Sequence, residues 1–250
     1  MAESTGGAAA AAAGAAGGID RAHRRVIFAS SLGTVFEWYD FYLYGSLSAI
    51  ISRQFFSGVN ETTGFIFALL AFAAGFFVRP FGALLFGRLG DLSGRKYTFL
   101  ITIVIMGTAT ALVGALPSYA QIGVAAPVAL ITLRLLQGLA LGGEYGGAAT
   151  YVAEHAPSGR RGLYTSWIQT TATLGLFLSL AVILLCRQIL GTEAFETWGW
   201  RIPFLLSTVL LAISVYIRLQ LQESPVFQEI RNTGGLSKSP LRQAFGRWTN

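Results

Sequence analysis

Long apolar runs alternate with short polar segments through most of this chain, and six of the runs are long enough to cross a lipid bilayer. A helix that spans the hydrocarbon core needs about 20 apolar residues. The pattern therefore predicts an all-α membrane protein built as a bundle of six transmembrane helices. The predicted spans cover about 26–51, 64–87, 98–116, 127–152, 163–190 and 201–221.

The segments at either end of this bundle have a different composition. Residues 1–21 are mostly Ala and Gly, have little to bury, and are predicted to form a disordered tail. Residues 22–221 make up the predicted bundle, and residues 222–250 form a basic segment with the character of a cytoplasmic loop.

Composition strengthens the membrane prediction and narrows the function. The chain is 53% hydrophobic and 12% charged, whereas soluble domains have about 25% charged residues. Cys186 is the one cysteine, and the two histidines, His23 and His155, lie far apart in sequence. We therefore expect no disulfide, no metal and no cofactor, other than a proton as coupling ion. The net charge of +6 could suggest nucleic acid, but the basic residues lie in loops between apolar runs, so we expect no nucleic-acid partner.

Lysine and arginine are distributed unequally between the loops, which predicts an orientation. Cytoplasmic loops carry an excess of these residues. The outer loops hold Arg53, Arg187 and Arg201, and both termini are accordingly predicted to be cytoplasmic. The residues assigned to the cytoplasmic side are Arg21, Arg24, Arg25, Arg88, Arg95, Lys96, Arg160, Arg161, Arg218, Arg231, Lys238, Arg242 and Arg247.

Ionisable residues inside the spans mark candidate chemistry, because they are costly in a bilayer unless they face a bundle interior or a wet cavity. On the first helix, Glu37, Asp40 and Tyr44 share one face. A desolvated carboxylate gains a proton more readily than one in water. These carboxylates either carry protons or make structural contacts between helices.

Two arginines lie inside other spans and offer partners for these acids. Arg79, beside Pro80 in the second span, either binds a substrate carboxylate or holds helices together. Arg134 shares a face of the fourth span with Gln137 and Tyr145. Glu144 follows on the same span and could face a partner helix or the pathway.

Polar residues elsewhere leave alternatives open. Gln169, on the fifth span, could line a cavity or join helices, and the uncharged third span is expected to face lipid or to support packing. Counting Glu37, Asp40 and Glu144 against Arg79 and Arg134 leaves one buried acid unpaired.

Several motifs resemble one transporter family. The run GRLGDLSGRK at 87–96, hereafter the signature loop, is similar to the loop between the second and third helices of major facilitator superfamily transporters. FEWYDFYLYG at 36–45, GGEYGG at 142–147 and WGWRIPF at 198–204 resemble the metabolite:proton symporter branch, which carries proline/betaine, shikimate, alpha-ketoglutarate, citrate and similar solutes.

The resemblance implies a fold of two six-helix halves, of which this chain matches the N-terminal one, so that a C-terminal six-helix half or a second copy would be a partner. It also implies a cytoplasmic gate in which Arg95 pairs with Glu154. Leu92 stands where the family commonly has Arg or Lys, so one gate contact is expected to be missing. The gate residues that the resemblance implies are Gly87, Gly90, Asp91, Gly94, Arg95, Lys96, Glu154 and Arg161.

The sequence thus predicts proton-coupled symport of a small organic acid, amino acid or betaine across a cell membrane. Proton coupling is assigned to Asp40 first and Glu37 second, together with Arg134 and Glu144. The predicted substrate-binding residues are Arg79, Tyr44, Gln137, Gln169 and Tyr145. The alternatives are a non-transporting membrane subunit or solute sensor, a channel, and a membrane enzyme, which lacks a convincing set of nucleophile and base; we expect no enzyme activity.

Overall fold

The computed structural model describes residues 21–156, 159–220 and 232–233, without the side chains of residues 21–33, 95, 145–151, 154 and 155. Residues 1–20 of the predicted tail and nearly all of the predicted segment 222–250 therefore lie outside the described part. All the regular structure within it is helical. The helices are α1 (Arg21–Phe55), α2 (Glu61–Phe77), α3 (Arg79–Ser93), α4 (Arg95–Ala115), α5 (Tyr119–Ile122), α6 (Ala125–His155), α7 (Arg161–Leu190), α8 (Thr192–Ala194), a π-helical turn (Phe195–Gly199) and α9 (Arg201–Leu219).

Six long helical units build the bundle, because α2 and α3 form one span that is interrupted at Val78. Pro80 stands in the first turn of α3, where its missing N–H leaves no helical hydrogen bond broken. Five stretches are long and apolar enough to cross a membrane: Glu61–Ser93, Lys96–Ala115, Ala125–Glu144, Arg161–Leu190 and Arg201–Leu219. The sixth unit, α1, is 35 residues long and carries Glu37 and Asp40 in its middle. The predicted all-α, six-helix bundle is confirmed.

The third span lies inside the bundle. In α4, 56% of the apolar stretch is buried, against 22–33% for the other four stretches. It packs against α6 and α9 and buries Thr102 and Thr110. Of the two roles that the sequence leaves open for this span, packing is therefore correct, and its threonines take part in the polar contacts described below.

The main apolar core lies around the second half of α1. Leu43, Ile51 and Phe55 of α1 are fully buried with Trp200 and Phe204. The ring centroids of Phe55 and Trp200 are 5.8 Å apart. In the motif at 198–204, Trp200 therefore packs in the apolar core. Trp198 is half exposed, as expected for a tryptophan that anchors a helix at the membrane interface.

Two contacts define the two ends of the bundle. At one end, the guanidinium of Arg53 lies 3.2 Å from the carboxylate of Glu196 in the turn before α9. At the other end, which carries the signature loop, Lys96 donates to the carbonyl of Leu219 at 2.9 Å. α9 therefore runs antiparallel to α1 and to α4.

Glycines bring the broken span against α6. A methyl group added at Gly138 would overlap the carbonyl oxygen of Gly75, and one at Gly142 would overlap that of Arg79. Backbones can approach this closely only where a side chain is absent. This contact fixes the start of α3, and therefore Arg79, against the middle of α6.

Candidate functional site

The candidate site forms where α1, α4 and α6 meet in the middle of the bundle. Glu37, Asp40 and Tyr44 follow one another at helical spacing and are all buried, as their shared face predicts. α6 contributes Arg134 and Gln137, one turn apart, and α4 contributes Thr110.

Asp40 and Arg134 form a buried ion pair. One guanidinium nitrogen of Arg134 lies 2.8 Å from Asp40 Oδ2, and the other lies 3.5 Å from Oδ1. Asp40 is 3% exposed and Arg134 is 4% exposed. Two-point contact of this kind is the geometry that a guanidinium offers to a carboxylate.

Two further side chains hold this pair in position. The Gln137 side-chain amide donates to Asp40 Oδ1 at 3.2 Å and to the Thr110 hydroxyl at 2.7 Å. The guanidinium of Arg134 lies 3.9 Å above the centre of the Tyr44 ring, and the Tyr44 hydroxyl donates to the carbonyl of Ala68. Tyr44 and Gln137, both predicted to bind substrate, thus contact the ion pair directly. Thr110 gives no sequence signal for this role, since a threonine in an apolar span is common.

A small pocket opens beside the pair. It is lined by apolar and aromatic residues together with Asp40, Arg79, Arg134 and Gln137. The guanidinium of Arg79 lies 4.1 Å from the centre of the Phe76 ring and makes no ion pair with any described side chain. The water-accessible volume is about 20 Å³, about enough for one water molecule. In this conformation the pocket is therefore small.

A second buried cluster lies toward the end of the bundle that carries the signature loop. Glu144 pairs with Arg218 of α9, and Thr102 donates to the other Glu144 oxygen at 3.4 Å. Arg218 also donates to the carbonyl of Phe99. Arg218, which the sequence assigns to the cytoplasmic side, is buried as the partner of Glu144, a contact that the sequence did not predict. Its position near the end of an apolar span hides this role.

Glu37 lies between the two clusters. Arg79, Glu144 and Arg218 are the ionisable groups close enough to interact with it electrostatically. It forms no ion pair with a described residue, and its buried Oε1 has no hydrogen-bond partner. The sequence predicts three buried acids against two arginines, and the structure adds Arg218 as a third arginine. With Arg218 included, three carboxylates and three guanidinium groups lie in this part of the bundle, and Glu37 and Arg79 are the two that form no ion pair with another described residue.

The signature loop makes the tight connection between α3 and α4. Gly94 has a φ of 101°, a conformation that favours glycine, and it ends one helix and begins the next. Gly90 is buried near the Thr98 hydroxyl, whereas nothing lies near a side chain added at Gly87. Of these two gate glycines, only Gly90 therefore lies close to another helix within the described chain. Asp91 and Arg161 are exposed at helix ends, and Lys96 donates to Leu219 as described above.

The remaining predicted site residues fall outside the pocket or outside the described side chains. Gln169 is exposed on α7 and does not line the pocket around Asp40. The side chains of Tyr145, Arg95 and Glu154 are not described, so the implied pair of Arg95 and Glu154 stays a prediction.

Comparison with known proteins gives a consistent result. Residues 26–243 match the family described as "Sugar (and other) transporter". The chain is 43% identical over 206 residues to a proline/betaine transporter of Salmonella typhimurium, covering 82% of this chain and 41% of that protein. It is 43% identical over 219 residues to the shikimate transporter of Escherichia coli, covering 87% of this chain and 50% of that protein.

The fold also matches solved structures. The proton:xylose symporter XylE, of the major facilitator superfamily, superposes with a TM-score of 0.75 at 17% identity, over 89% of this chain and 50% of that one. The chain thus spans about half the length of the relatives and structures that it matches. The matched part is the N-terminal half, which contains the buried pair and its pocket.

Proposed function

The chain belongs to the sugar (and other) transporter family, within the major facilitator superfamily, and from this premise we propose that it forms half of a proton-coupled symporter for a small carboxylate-bearing or zwitterionic metabolite. The observation that carries this proposal is the buried pair of Asp40 and Arg134 at the edge of a small pocket. Such pairs inside a membrane are costly and occur mainly on substrate, ion and proton pathways.

Proton coupling follows from the acids of α1. Asp40 lines the pocket and Glu37 lies one turn before it on α1, both buried, and Arg134 and Gln137 contact the Asp40 carboxylate. A proton taken up from one side changes the charge of this site, and a change of charge alters the balance between conformations that open to either side. Glu144 belongs to this system through its partner Arg218.

The substrate class follows from Arg79. Its guanidinium lines the pocket without an acidic partner among the described residues, so it is available to a substrate carboxylate. Proline, betaine and shikimate, which name the relatives above, all carry one carboxylate. The aromatic side chains of Phe41, Phe72 and Phe76, which also line the pocket, suit the ring or the alkylated nitrogen of such molecules.

We also propose a cell-membrane location with both chain ends on the cytoplasmic side. The end of the bundle with the signature loop carries Arg88, Arg95, Lys96, Arg160 and Arg161, and the opposite end carries Arg53, Arg187 and Arg201. The excess of basic residues beside the signature loop supports a cytoplasmic position for that end.

The test is gradient-driven uptake in proteoliposomes. The 250-residue chain is reconstituted alone and together with the C-terminal half of the Escherichia coli shikimate transporter. Uptake of labelled proline, betaine and shikimate is followed under an inward proton gradient. Accumulation that collapses on adding a protonophore supports symport, and uptake that is indifferent to the gradient contradicts it.

A matched pair of variants tests whether uptake depends on the buried acid at the pocket. Asp40→Asn is expected to abolish gradient-driven accumulation, whereas Glu61→Gln, an exposed acid at the start of α2, is expected to leave it unchanged. Specific binding without uptake in both reconstitutions would instead favour a solute sensor or non-transporting subunit, since the pocket lies wholly within this bundle.

A further inference from the structure

The side-chain amide of Gln137 lies between the Asp40 carboxylate and the Thr110 hydroxyl. Its nitrogen, Nε2, donates to Thr110 Oγ1 at 2.7 Å and to Asp40 Oδ1 at 3.2 Å. All three side chains are buried. Both N–H groups of the amide are therefore used by acceptors of the protein itself, and neither is left for a substrate.

The directions of these hydrogen bonds are fixed from the Thr110 end. The Thr110 hydroxyl donates to the carbonyl of Met106 at 2.9 Å. A hydroxyl has one proton to donate, so Thr110 can only accept from Gln137, and the amide must present its nitrogen rather than its oxygen. The same nitrogen then faces Asp40. In this arrangement Asp40 Oδ1 meets a donor, as an ionised carboxylate requires.

A protonated Asp40 has a different requirement, which one of its two side-chain partners can meet. The new O–H needs an acceptor, since a buried donor without one is costly. The guanidinium of Arg134 carries five donors and no acceptor, whereas the amide of Gln137 carries a donor at one end and an acceptor at the other. Of the two side chains that contact the Asp40 carboxylate, Gln137 is thus the one that suits both charge states.

The amide has two orientations with equal numbers of satisfied ends. In the structure Nε2 makes two hydrogen bonds, and Gln137 Oε1 is buried without a partner. Turned over about its last side-chain bond, the amide places Oε1 where it accepts from both a protonated Asp40 and the Thr110 hydroxyl, and Nε2 takes the place without a partner. The carbonyl of Met106 keeps the backbone N–H of Thr110, four residues further along α4.

We propose that Gln137 and Thr110 are positioning residues that allow Asp40 to take up a proton beside Arg134, and that the Gln137 amide turns over when this proton binds. This role rests on the proposed function and concerns how its proton site works. In the step, Asp40 Oδ1 takes a proton from water and donates the new O–H to Gln137 Oε1, while Oδ2 keeps its contact with Arg134. Return of the proton to water reverses the turn.

The surroundings of Asp40 allow this step to be tested without altering a charge. The pocket that Asp40 and Gln137 both line has room for about one water molecule. Within the described chain, α4, α7 and α9 add no charged side chain to this pocket. Because Gln137 and Thr110 are uncharged, replacing either leaves every ionisable group in place. The titratable groups around Asp40 are Arg134 on α6, Arg79 on α3, and Glu37, Tyr39 and Tyr44 on α1.

The experiment is difference infrared spectroscopy of the 250-residue chain in lipid nanodiscs, between high and low pH. The C=O band of protonated Asp40 is identified by its loss in Asp40→Asn, and the amide C=O band of Gln137 by its loss in Gln137→Met. In the unaltered chain we expect both bands to change over the same pH range. In Gln137→Met the Asp40 band should persist but move to higher frequency, because the O–H has lost its acceptor.

Variants of Thr110 provide a second measurement. Thr110→Val keeps the shape but not the hydroxyl, so the pH-dependent shift of the Gln137 amide band should become smaller, and Thr110→Ser should restore it. Thr132→Val is the matched control, since Thr132 lies exposed on α6 and bonds only to the carbonyl of Val128 among the described contacts. It should give the unaltered spectrum. Circular dichroism establishes that each variant is folded.

Two outcomes separate this role from the proposed function. An Asp40 band at the same frequency in Gln137→Met as in the unaltered chain, or a Gln137 band that still changes with pH in Asp40→Asn, would overturn the turn of the amide and leave Asp40 as the proton site. If no carboxylic acid band were lost in Asp40→Asn at any pH, Asp40 would not be the proton site, and the role of Gln137 and Thr110 would fall with it.

Discussion

The guanidinium of Arg218, near the end of α9, forms an ion pair with the carboxylate of Glu144 in the interior of the bundle. The pair joins α9 to α6, and Thr102 and the carbonyl of Phe99 connect it to α4. Because α4 is the most buried of the apolar spans, this contact ties three helices together on the side of the bundle that carries the signature loop. It should therefore stabilise the bundle.

Replacement of Arg218 by Gln should destabilise the protein strongly. Glu144 is fully buried, and its remaining contact is the Thr102 hydroxyl at 3.4 Å. Breaking a buried ion pair on one side costs about 3–5 kcal/mol. Unfolding by SDS titration or by heat in detergent, followed by circular dichroism, measures the loss.

Two comparisons test whether this loss comes from the buried pair. The double variant Glu144→Gln with Arg218→Gln should recover much of the stability, because both charges are removed together. Arg53→Gln, which disrupts an exposed pair with Glu196, should change stability by less than about 1 kcal/mol. If Arg218→Gln lost no more than Arg53→Gln, the buried pair would be refuted.

Replacement of Arg79 by Gln should weaken substrate binding. A hydrogen bond to a charged group contributes about 1.5–3 kcal/mol, which corresponds to about 10- to 100-fold in affinity. Arg79→Lys should recover part of this, since it keeps the charge but not the planar fork. Equilibrium binding of labelled shikimate in nanodiscs provides the measurement.

The control for Arg79 lies on the same helix. Arg88 is exposed near the other end of α3, so Arg88→Gln removes the same charge outside the pocket and should bind as the unaltered chain does. Equal affinities for Arg79→Gln and Arg88→Gln would show that the carboxylate binds elsewhere.

Sequence pattern predicted the helices and the inward face of α1 well, because hydrophobic period and span length are local properties. Glu37, Asp40 and Tyr44 are buried as their spacing predicts. The partner of each charge was not predictable in the same way. Arg218 and Thr110 reach the site only through the packing of α9 and α4 against α6, a relationship between residues that are far apart in the chain.

The signature loop also shows that local conformation is easier to predict from sequence than contacts are. Its glycines predict a tight turn, and the positive φ of Gly94 accounts for one of them. Gly87 faces open space in this chain, so its presence is not explained by any contact in the described residues. A motif therefore predicts a local conformation more securely than it predicts what each residue contacts.

A methyl group at Gly142 should disturb the contact that positions Arg79. The added carbon would overlap the carbonyl oxygen of Arg79 itself, so α3 and α6 would have to separate. Overpacking of this kind costs about 1–3 kcal/mol, and displacement of Arg79 should also weaken binding. Gly142→Ala is therefore expected to lose both stability and affinity for shikimate, measured by thermal unfolding and nanodisc binding.

Gly87→Ala is the matched control, since the same methyl group meets no atom there. Alanine favours a helix over glycine by about 0.5–1 kcal/mol, so this variant should be as stable as the unaltered chain or slightly more so. Equal behaviour of Gly142→Ala and Gly87→Ala would contradict the close packing of α3 on α6.

The proposed orientation can be tested with single cysteines at the two ends of the bundle. Cys186→Ser first removes the native thiol, which is buried. Ser57→Cys then lies in the exposed turn between α1 and α2, and Ser93→Cys lies exposed at the end of α3 beside the signature loop. Because the basic residues concentrate beside Ser93, that end of the bundle should face the cytoplasm. A membrane-impermeant maleimide added to intact cells should label Ser57→Cys, and should label Ser93→Cys only after permeabilisation. The reverse pattern would invert the bundle, so that the pocket beside Asp40 would have to load its proton and substrate from the opposite side of the membrane.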